Sequence, residues 1–300
     1  MKQVKIEGII TPVITPMNAD ESINVAELRR QVNRQIESGV HGLFCFGTNG
    51  EGYILNGEEK KLVLETVIEE CGGRVPVYAG TGCISTRETI EQSKMAEAAG
   101  ADVLSIITPG FAAASQKELY DHYAAVAGAV NLPVVLYNIP ARTGNALTPE
   151  TVGKLGQISN IVGAKDSSGS FTNILGYIAA SENCDQFSVL SGSDQLILWT
   201  LKAGGTGGIA GCANVYPRTM ASIYNCYQAG DWEGAKRHQE SIASFRACFR
   251  FGNPNTVVKT AVALLGYDVG RCRAPFNQLP EEGKEALKKV LQENEEKGMR

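Results

Sequence analysis

Residues Gly8-Ile-Ile-Thr-Pro-Val-Ile14 form a short apolar run, and Thr15-Pro-Met-Asn-Ala-Asp20 follows it. This junction decides the fold. A dinucleotide-binding sheet carries G-x-G-x-x-G directly after its first strand, because the glycines let a pyrophosphate approach the backbone. The junction here has Pro16 and no glycine, so the doubly wound reading fails at its most diagnostic position. The other common outcome of strand–helix alternation is a closed parallel barrel.

Seven more apolar runs follow, at 42–46, 75–79, 103–108, 133–137, 161–165, 187–190 and 206–211. Several are apolar throughout rather than alternating, as strands covered on both faces are. Amphipathic segments separate them. Val25, Leu28, Val32 and Ile36 share a helix face, as do Val63, Val67 and Cys71. Segments 86–99, 116–130, 148–155 and 170–180 continue the alternation, with Thr148-Pro149 suited to an N-cap and first helical position. Eight strands alternating with helices predict an α/β fold, a (β/α)8 TIM barrel, over residues 1–230. Residues 231–300 show no strand signal and read as helical throughout, a C-terminal helical region with Leu287, Val290 and Leu291 in one stripe.

Composition narrows the partners. The net charge is −4 and no stretch collects Lys or Arg on one face, which argues against nucleic acid and anionic membrane. A small anionic substrate needs only one or two placed cations and stays open. No apolar run approaches the roughly 20 residues of a membrane span. The opening MKQVKIEGII lacks the long apolar core and cleavage site of a signal peptide, so a cytoplasmic location is expected. The eight Cys form no C-x-x-C and read as reduced thiols. His41, His122 and His238 are isolated from one another, so neither a metal site nor a cofactor is expected.

Catalytic groups of such a barrel project from the C-terminal ends of its strands. The sixth run ends in Ile161-Val-Gly-Ala-Lys-Asp166. Burying the Lys165 ammonium would lower its pKa and free the amine as a Schiff-base nucleophile. Equally, a buried Lys can be an ion-pair partner, here of Asp166. The fifth run leads into Tyr137-Asn-Ile-Pro-Ala-Arg-Thr-Gly144. The Tyr137 hydroxyl could pass protons or simply be a satisfied core group. Arg142 is a fixed cation suited to a carboxylate, or to a surface salt bridge. The second run ends in Phe46-Gly-Thr-Asn-Gly-Glu-Gly52, where converging N–H groups and the Thr48 hydroxyl fit a carboxylate and the glycines also fit a tight turn. Gly204, Gly205, Gly207, Gly208 and Gly211 around the eighth run suit either a phosphate or close packing at a barrel seam.

With those strand ends and the order of its motifs, the chain resembles the dihydrodipicolinate synthase/N-acetylneuraminate lyase family. The motifs are the opening Gly8 to Pro16, Gly-x-x-Gly-Glu at 47–51, Tyr137 to Gly144, Gly163-Ala-Lys-Asp166, Leu190-Ser-Gly-Ser-Asp194 and Gly208-Ile-Ala-Gly-Cys-Ala-Asn-Val215. The resemblance implies a metal-independent class I lyase that joins or releases pyruvate, or another small 2-oxo acid, and an aldehyde. It implies that Lys165 forms the Schiff base and that Tyr137 shuttles the proton. Thr48, with Gly47, Asn49 and Gly50, would hold the 2-oxo acid carboxylate. Gly192, Asp194 and the Ile209 carbonyl would line the pocket, and Arg142 would bind an acidic aldehyde. It also implies a homotetramer, a dimer of dimers.

Two positions depart from the synthase branch. Asn49 stands where that branch has a second Thr, and Phe111 stands where it has a Tyr that reaches a neighbouring subunit's site. Phe111 has no hydroxyl to relay a proton. The 47–51 loop and Lys165-Asp-Ser-Ser-Gly169 look closer to the aldolases of 4-hydroxy-2-oxoglutarate and 2-keto-3-deoxy sugar acids. The sialic-acid lyases carry Asp-Glu where this chain has Asp194-Gln195. Two further readings remain: a barrel binding a phosphorylated sugar, and a non-catalytic barrel that binds a 2-oxo acid.

Overall fold

The computed structural model describes residues 4–300; Met1–Gln3, the start of the N-terminal segment read above, lie outside the described residues. Its strands are β1 Gly8–Pro12, β2 Gly42–Cys45, β3 Val77–Ala79, β4 Val103–Ile107, β5 Val134–Asn138, β6 Ile161–Asp166, β7 Ser188–Ser191 and β8 Gly207–Ile209. They form a closed barrel in chain order, β1 through β8. Each falls on one of the eight expected runs. Strands β1, β2 and β5 are buried at every residue, the pattern of parallel strands covered on both faces.

The helices between them start on local signals. They are α1 Val25–Glu37, α2 Gly57–Cys71, α3 Thr86–Ala99, α4 Gln116–Ala127, α5 Pro140–Thr143, α6 Pro149–Leu155, α7 Phe171–Ala180 and α8 Ile197–Lys202. Asn24, Asn56, Ser85, Ser115, Thr148 and Ser170 each cap a helix by accepting a backbone N–H three residues on. Each such cap contributes about 1 kcal/mol. Asn56 and Ser115 add capping boxes with Glu59 and Glu118. The short helices α5 and α8 lie outside the expected helical segments.

The chain divides into two compact units. One comprises the segment ending at Gly8 together with Pro76–Ile209. It holds β3 to β8 and α3 to α8. Its β5–β6 pairing starts at Val134↔Ile161 and then shifts, so that Val135 pairs with Gly163, Tyr137 with Lys165 and Asn138 with Asp166. The shift lies in the bulge at Val162, one extra residue on β6. Without it Tyr137 would lie opposite Ala164, whose side chain points to the other face. The next pairing sets Lys165 beside Leu190 and Asp166 beside Ser191.

The other unit comprises Ile9–Val75 and Ala210–Arg300. It holds β1 from Ile9, β2, α1 and α2, then α9 Pro217–Gln228, α10 Trp232–Ser241, α11 Ala243–Ala247, α12 Pro254–Leu264 and α13 Glu281–Glu296. The Asn214 side chain donates to the Pro12 carbonyl and accepts from Ile14 N–H, while Arg34 donates to the Asn214 and Val215 carbonyls. These bonds tie the C-terminal part to β1. The expectation of helix throughout 231–300 needs correction: 265–280 is not helical. Gly266 and Gly270 take positive φ, and a side chain on Gly270 would stand 2.0 Å from the Met17 carbonyl oxygen. Pro275 and Pro280 also oppose helix there.

Candidate functional site

Strand alternation decides what Lys165 meets. Lys165 and Asp166 are consecutive on β6, so their side chains leave opposite faces of the sheet. Asp166 is fully buried on the helix side. Its Oδ1 accepts from the side-chain amides of Asn138 at 2.7 Å and Asn173, on α7, at 2.9 Å, and its Oδ2 accepts from the Ser168 hydroxyl at 2.6 Å. Asn138 in turn accepts from Leu147 N–H. Asp166 therefore serves as a hub that fixes the loops after β5 and β6. The ion-pair reading of Lys165 with Asp166 is set aside by this arrangement.

Lys165 is 4% exposed. Its Nζ lies 3.7 Å from the centroid of the Tyr137 ring, the residue opposite in the register. Burial lowers the Lys165 pKa below its usual value of 10.5; the Tyr137 side chain, by charge and hydrogen bond, and the charge of Asp194 act in the opposite sense. Desolvation is the larger effect, because an ammonium loses more hydration than a ring face returns. Tyr137 is itself buried, at 3% exposed. Lowering the Lys165 pKa favours the free amine, the form that attacks a carbonyl.

The rest of this unit's expected residues are placed as follows. Gly192 donates its N–H to the Asp166 carbonyl at 2.7 Å. A side chain there would stand 2.9 Å from Lys165 Cε and 1.9 Å from the Ser167 hydroxyl oxygen, so the glycine keeps clearance around the amine. Asp194 is buried in the short turn after β7, and Gln195 is exposed. Ile209 ends β8 and is buried. Arg142 stands exposed on α5, one turn beyond β5. Phe111 is fully exposed, with φ 75°. The glycines of β8 are packing residues: a side chain on Gly207 would stand 2.1 Å from the Gly8 carbonyl oxygen, and one on Gly208 2.7 Å from Ile197. That favours the seam over the phosphate.

The 47–51 loop belongs to the second unit. Thr48 and Asn49 are half-buried there, while Gly47 and Gly50 are buried. Glycine is required at both buried positions, since a side chain would stand 2.8 Å from Phe44 at Gly47 and 2.8 Å from the Val13 carbonyl oxygen at Gly50. The loop closes on itself through Glu51 N–H to the Thr48 carbonyl, and Thr15 donates to the Gly50 carbonyl at 2.7 Å. Phe46 and Glu51 both hold left-handed backbone, with φ 66° and 56°. Each costs about 1–2 kcal/mol and persists only when surroundings enforce it.

Sequence reasoning missed what enforces it. Glu51, fully buried, accepts from Lys259 Nζ at 2.7 Å and from Arg273 N–H at 2.8 Å. Lys259 is 1% exposed on α12, and its one sequence signal is position: a lysine inside the apolar run Val257-Val-Lys-Thr-Ala-Val262. The Asp166 hub was missed as well, and Asn138 and Asn173 give no such signal.

The sequence pattern described as the dihydrodipicolinate synthetase family matches residues 5–294. The chain is 42% identical over 290 residues to a 4-hydroxy-tetrahydrodipicolinate synthase of Methanopyrus kandleri, covering 96% of each. Among solved structures, it is similar to the 4-hydroxy-tetrahydrodipicolinate synthase of Methylacidiphilum fumariolicum SolV, with TM-score 0.94, 32% identity and coverage of 98% of this chain and 97% of that one. It is also similar to a prophage protein of the dihydrodipicolinic acid synthase family from E. coli K12, solved in complex with pyruvate, with TM-score 0.93, 34% identity and coverage of 97% and 99%.

Proposed function

The chain belongs to the dihydrodipicolinate synthetase family, and on that premise we propose how its residues run the reaction. The activity is that of a pyruvate-dependent carbon–carbon lyase resembling 4-hydroxy-tetrahydrodipicolinate synthase. The Lys165 amine attacks the keto carbon of pyruvate, and loss of water leaves a protonated imine. That imine is an electron sink, so a methyl proton departs and an enamine forms. The enamine carbon attacks the aldehyde carbonyl, which becomes a hydroxyl, and hydrolysis of the imine returns Lys165. Tyr137 carries protons between these steps. Thr48 and the 47–50 N–H groups hold the substrate carboxylate, Gly192, Asp194 and the Ile209 carbonyl shape the pocket, and Arg142 takes the carboxylate of an acidic aldehyde.

The observation that carries this reading is the buried Lys165 amine 3.7 Å from the Tyr137 ring, with its pKa lowered by burial. Borohydride reduction in the presence of pyruvate, followed by peptide mapping, tests it. A reduced pyruvate adduct on the Lys165 peptide is expected. Its absence from folded protein, or its presence on another lysine, would overturn the assignment.

The residue Phe111, fully exposed and without a hydroxyl, favours a second reading within the same chemistry. In it the enzyme cleaves 4-hydroxy-2-oxoglutarate or a 2-keto-3-deoxy sugar acid to pyruvate and an aldehyde. Turnover of aspartate semialdehyde measured against glyoxylate separates the two. The same proposal treats 1–230 as the catalytic barrel and 231–300 as its helical region, and the chain as a cytoplasmic homotetramer, a dimer of dimers. Exposed Phe111 and Ile84 support association, and eight free cysteines support a reducing compartment.

A further inference from the structure

Glu51 closes the Gly-x-x-Gly-Glu motif, yet the reaction above gives it nothing to do. It is fully buried, and its carboxylate has two partners from distant sequence: Lys259 Nζ at 2.7 Å and Arg273 N–H at 2.8 Å. Arg273 is anchored in turn, since its guanidinium grips the Glu59 carboxylate at 2.6 and 3.0 Å and donates to the Glu21 and Ile54 carbonyls. Asn255, also on α12, donates to the Tyr53 hydroxyl at 2.9 Å. The backbone from Phe46 to Glu51 is strained at both ends and half-buried at Thr48 and Asn49. A loop of this kind keeps its N–H groups aimed only if something rigid holds its far end.

We propose that the Glu51–Lys259 ion pair is the positioning element of the 2-oxo acid carboxylate loop, fixing the Thr48–Gly50 backbone in its anion-binding conformation. The inference rests on the reading that this loop receives the substrate carboxylate. Glu51 and Lys259 act through the loop and need touch no substrate. Their loss weakens capture of the carboxylate while leaving imine chemistry on a carboxylate-free ketone in place.

The test compares borohydride trapping of pyruvate with that of methyl pyruvate, whose ester lacks the anion. Folding is checked by circular dichroism. In Glu51→Gln the half-saturating pyruvate concentration should rise about tenfold, the size expected for a small misplacement of a binding group, with trapping at saturation and the response to methyl pyruvate little changed. Lys259→Arg, which keeps the charge, should retain most of the preference for pyruvate. Because a single variant leaves a buried charge without its partner, the doubly neutral Glu51→Gln/Lys259→Met carries the same prediction on a more stable fold. Thr48→Ala reports on the underlying reading. If Thr48→Ala loses the preference for pyruvate and a folded Glu51→Gln or double variant keeps it, the inference falls and the loop's role stands. If Thr48→Ala keeps the preference, the loop's role fails and the inference falls with it. Failure of every variant to fold, Lys259→Arg included, overturns it too, since the pair then holds the fold rather than the loop.

Discussion

Two lysines are buried among the described residues, and their surroundings differ in kind. Lys165, 4% exposed, ends a β-strand with its amine over the Tyr137 ring, and the neighbouring Asp166 carboxylate serves three donors on the opposite face of the sheet. Lys259, 1% exposed, sits on a helix with its amine 2.7 Å from the Glu51 carboxylate. Burial alone therefore does not mark a nucleophile. What sets Lys165 apart, as the proposed nucleophile, is that desolvation outweighs the opposing contributions of Tyr137 and Asp194 and lowers its pKa. At Lys259 the Glu51 carboxylate stands at hydrogen-bond distance and forms a buried ion pair.

The comparison can be broken most severely by exchanging the consequences of the two deletions. Lys165→Ala should abolish the trapped adduct and lower turnover by on the order of 10⁴-fold or more, because the covalent route is lost. Trapping and steady-state rates measure this; retained activity would place the nucleophile elsewhere. Lys259→Ala should leave trapping at saturating pyruvate in place, weaken capture at low pyruvate, and cost about 3–5 kcal/mol in urea unfolding because Glu51 is left buried without its cation. Lys165→Met should show no such loss, and an equal loss for both would mean that the two lysines serve the fold alike.

Finer effects sharpen the same contrast. Tyr137→Phe keeps the ring under Lys165 and removes only the hydroxyl, so turnover should fall about 10²–10³-fold with unfolding unchanged, the range for a positioned proton carrier. Arg142→Ala should weaken use of carboxylate-bearing aldehydes about tenfold, the scale of one charge-assisted hydrogen bond, and leave neutral aldehydes alone. Equal loss with both would remove Arg142 from substrate binding. The smallest effect is in pH. The folded Lys165 pKa lies below its ordinary 10.5. Between those values the unfolded chain binds more protons, so stability rises with pH through that window. The rate of pyruvate trapping should rise over the same window, with a midpoint below 10.5. The Lys165→Met variant should lack the stability trend.

Some of this was legible in the linear chain. The eight strands follow from eight apolar runs, and one helix start follows from the Thr148-Pro149 cap, because both signals act over a few residues. Lys165 stood out as a cation at the end of an apolar strand for the same local reason. The irregular 265–280 segment was misread because its turns depend on Gly266 and Gly270, and at Gly270 on the approach of the Met17 carbonyl, far away in sequence.

What only the tertiary structure decided is which groups share a face. The pairing shift between Val134 and Val135 sets Tyr137, rather than Asn138, opposite Lys165. Register belongs to two strands at once and has no signature in either. The Glu51–Lys259 pair joins residues 208 positions apart. Side-chain chemistry and local periodicity are properties of neighbours along the chain, whereas the burial that lowers one lysine's pKa and the carboxylate that pairs the other are set by segments the chain brings together only on folding.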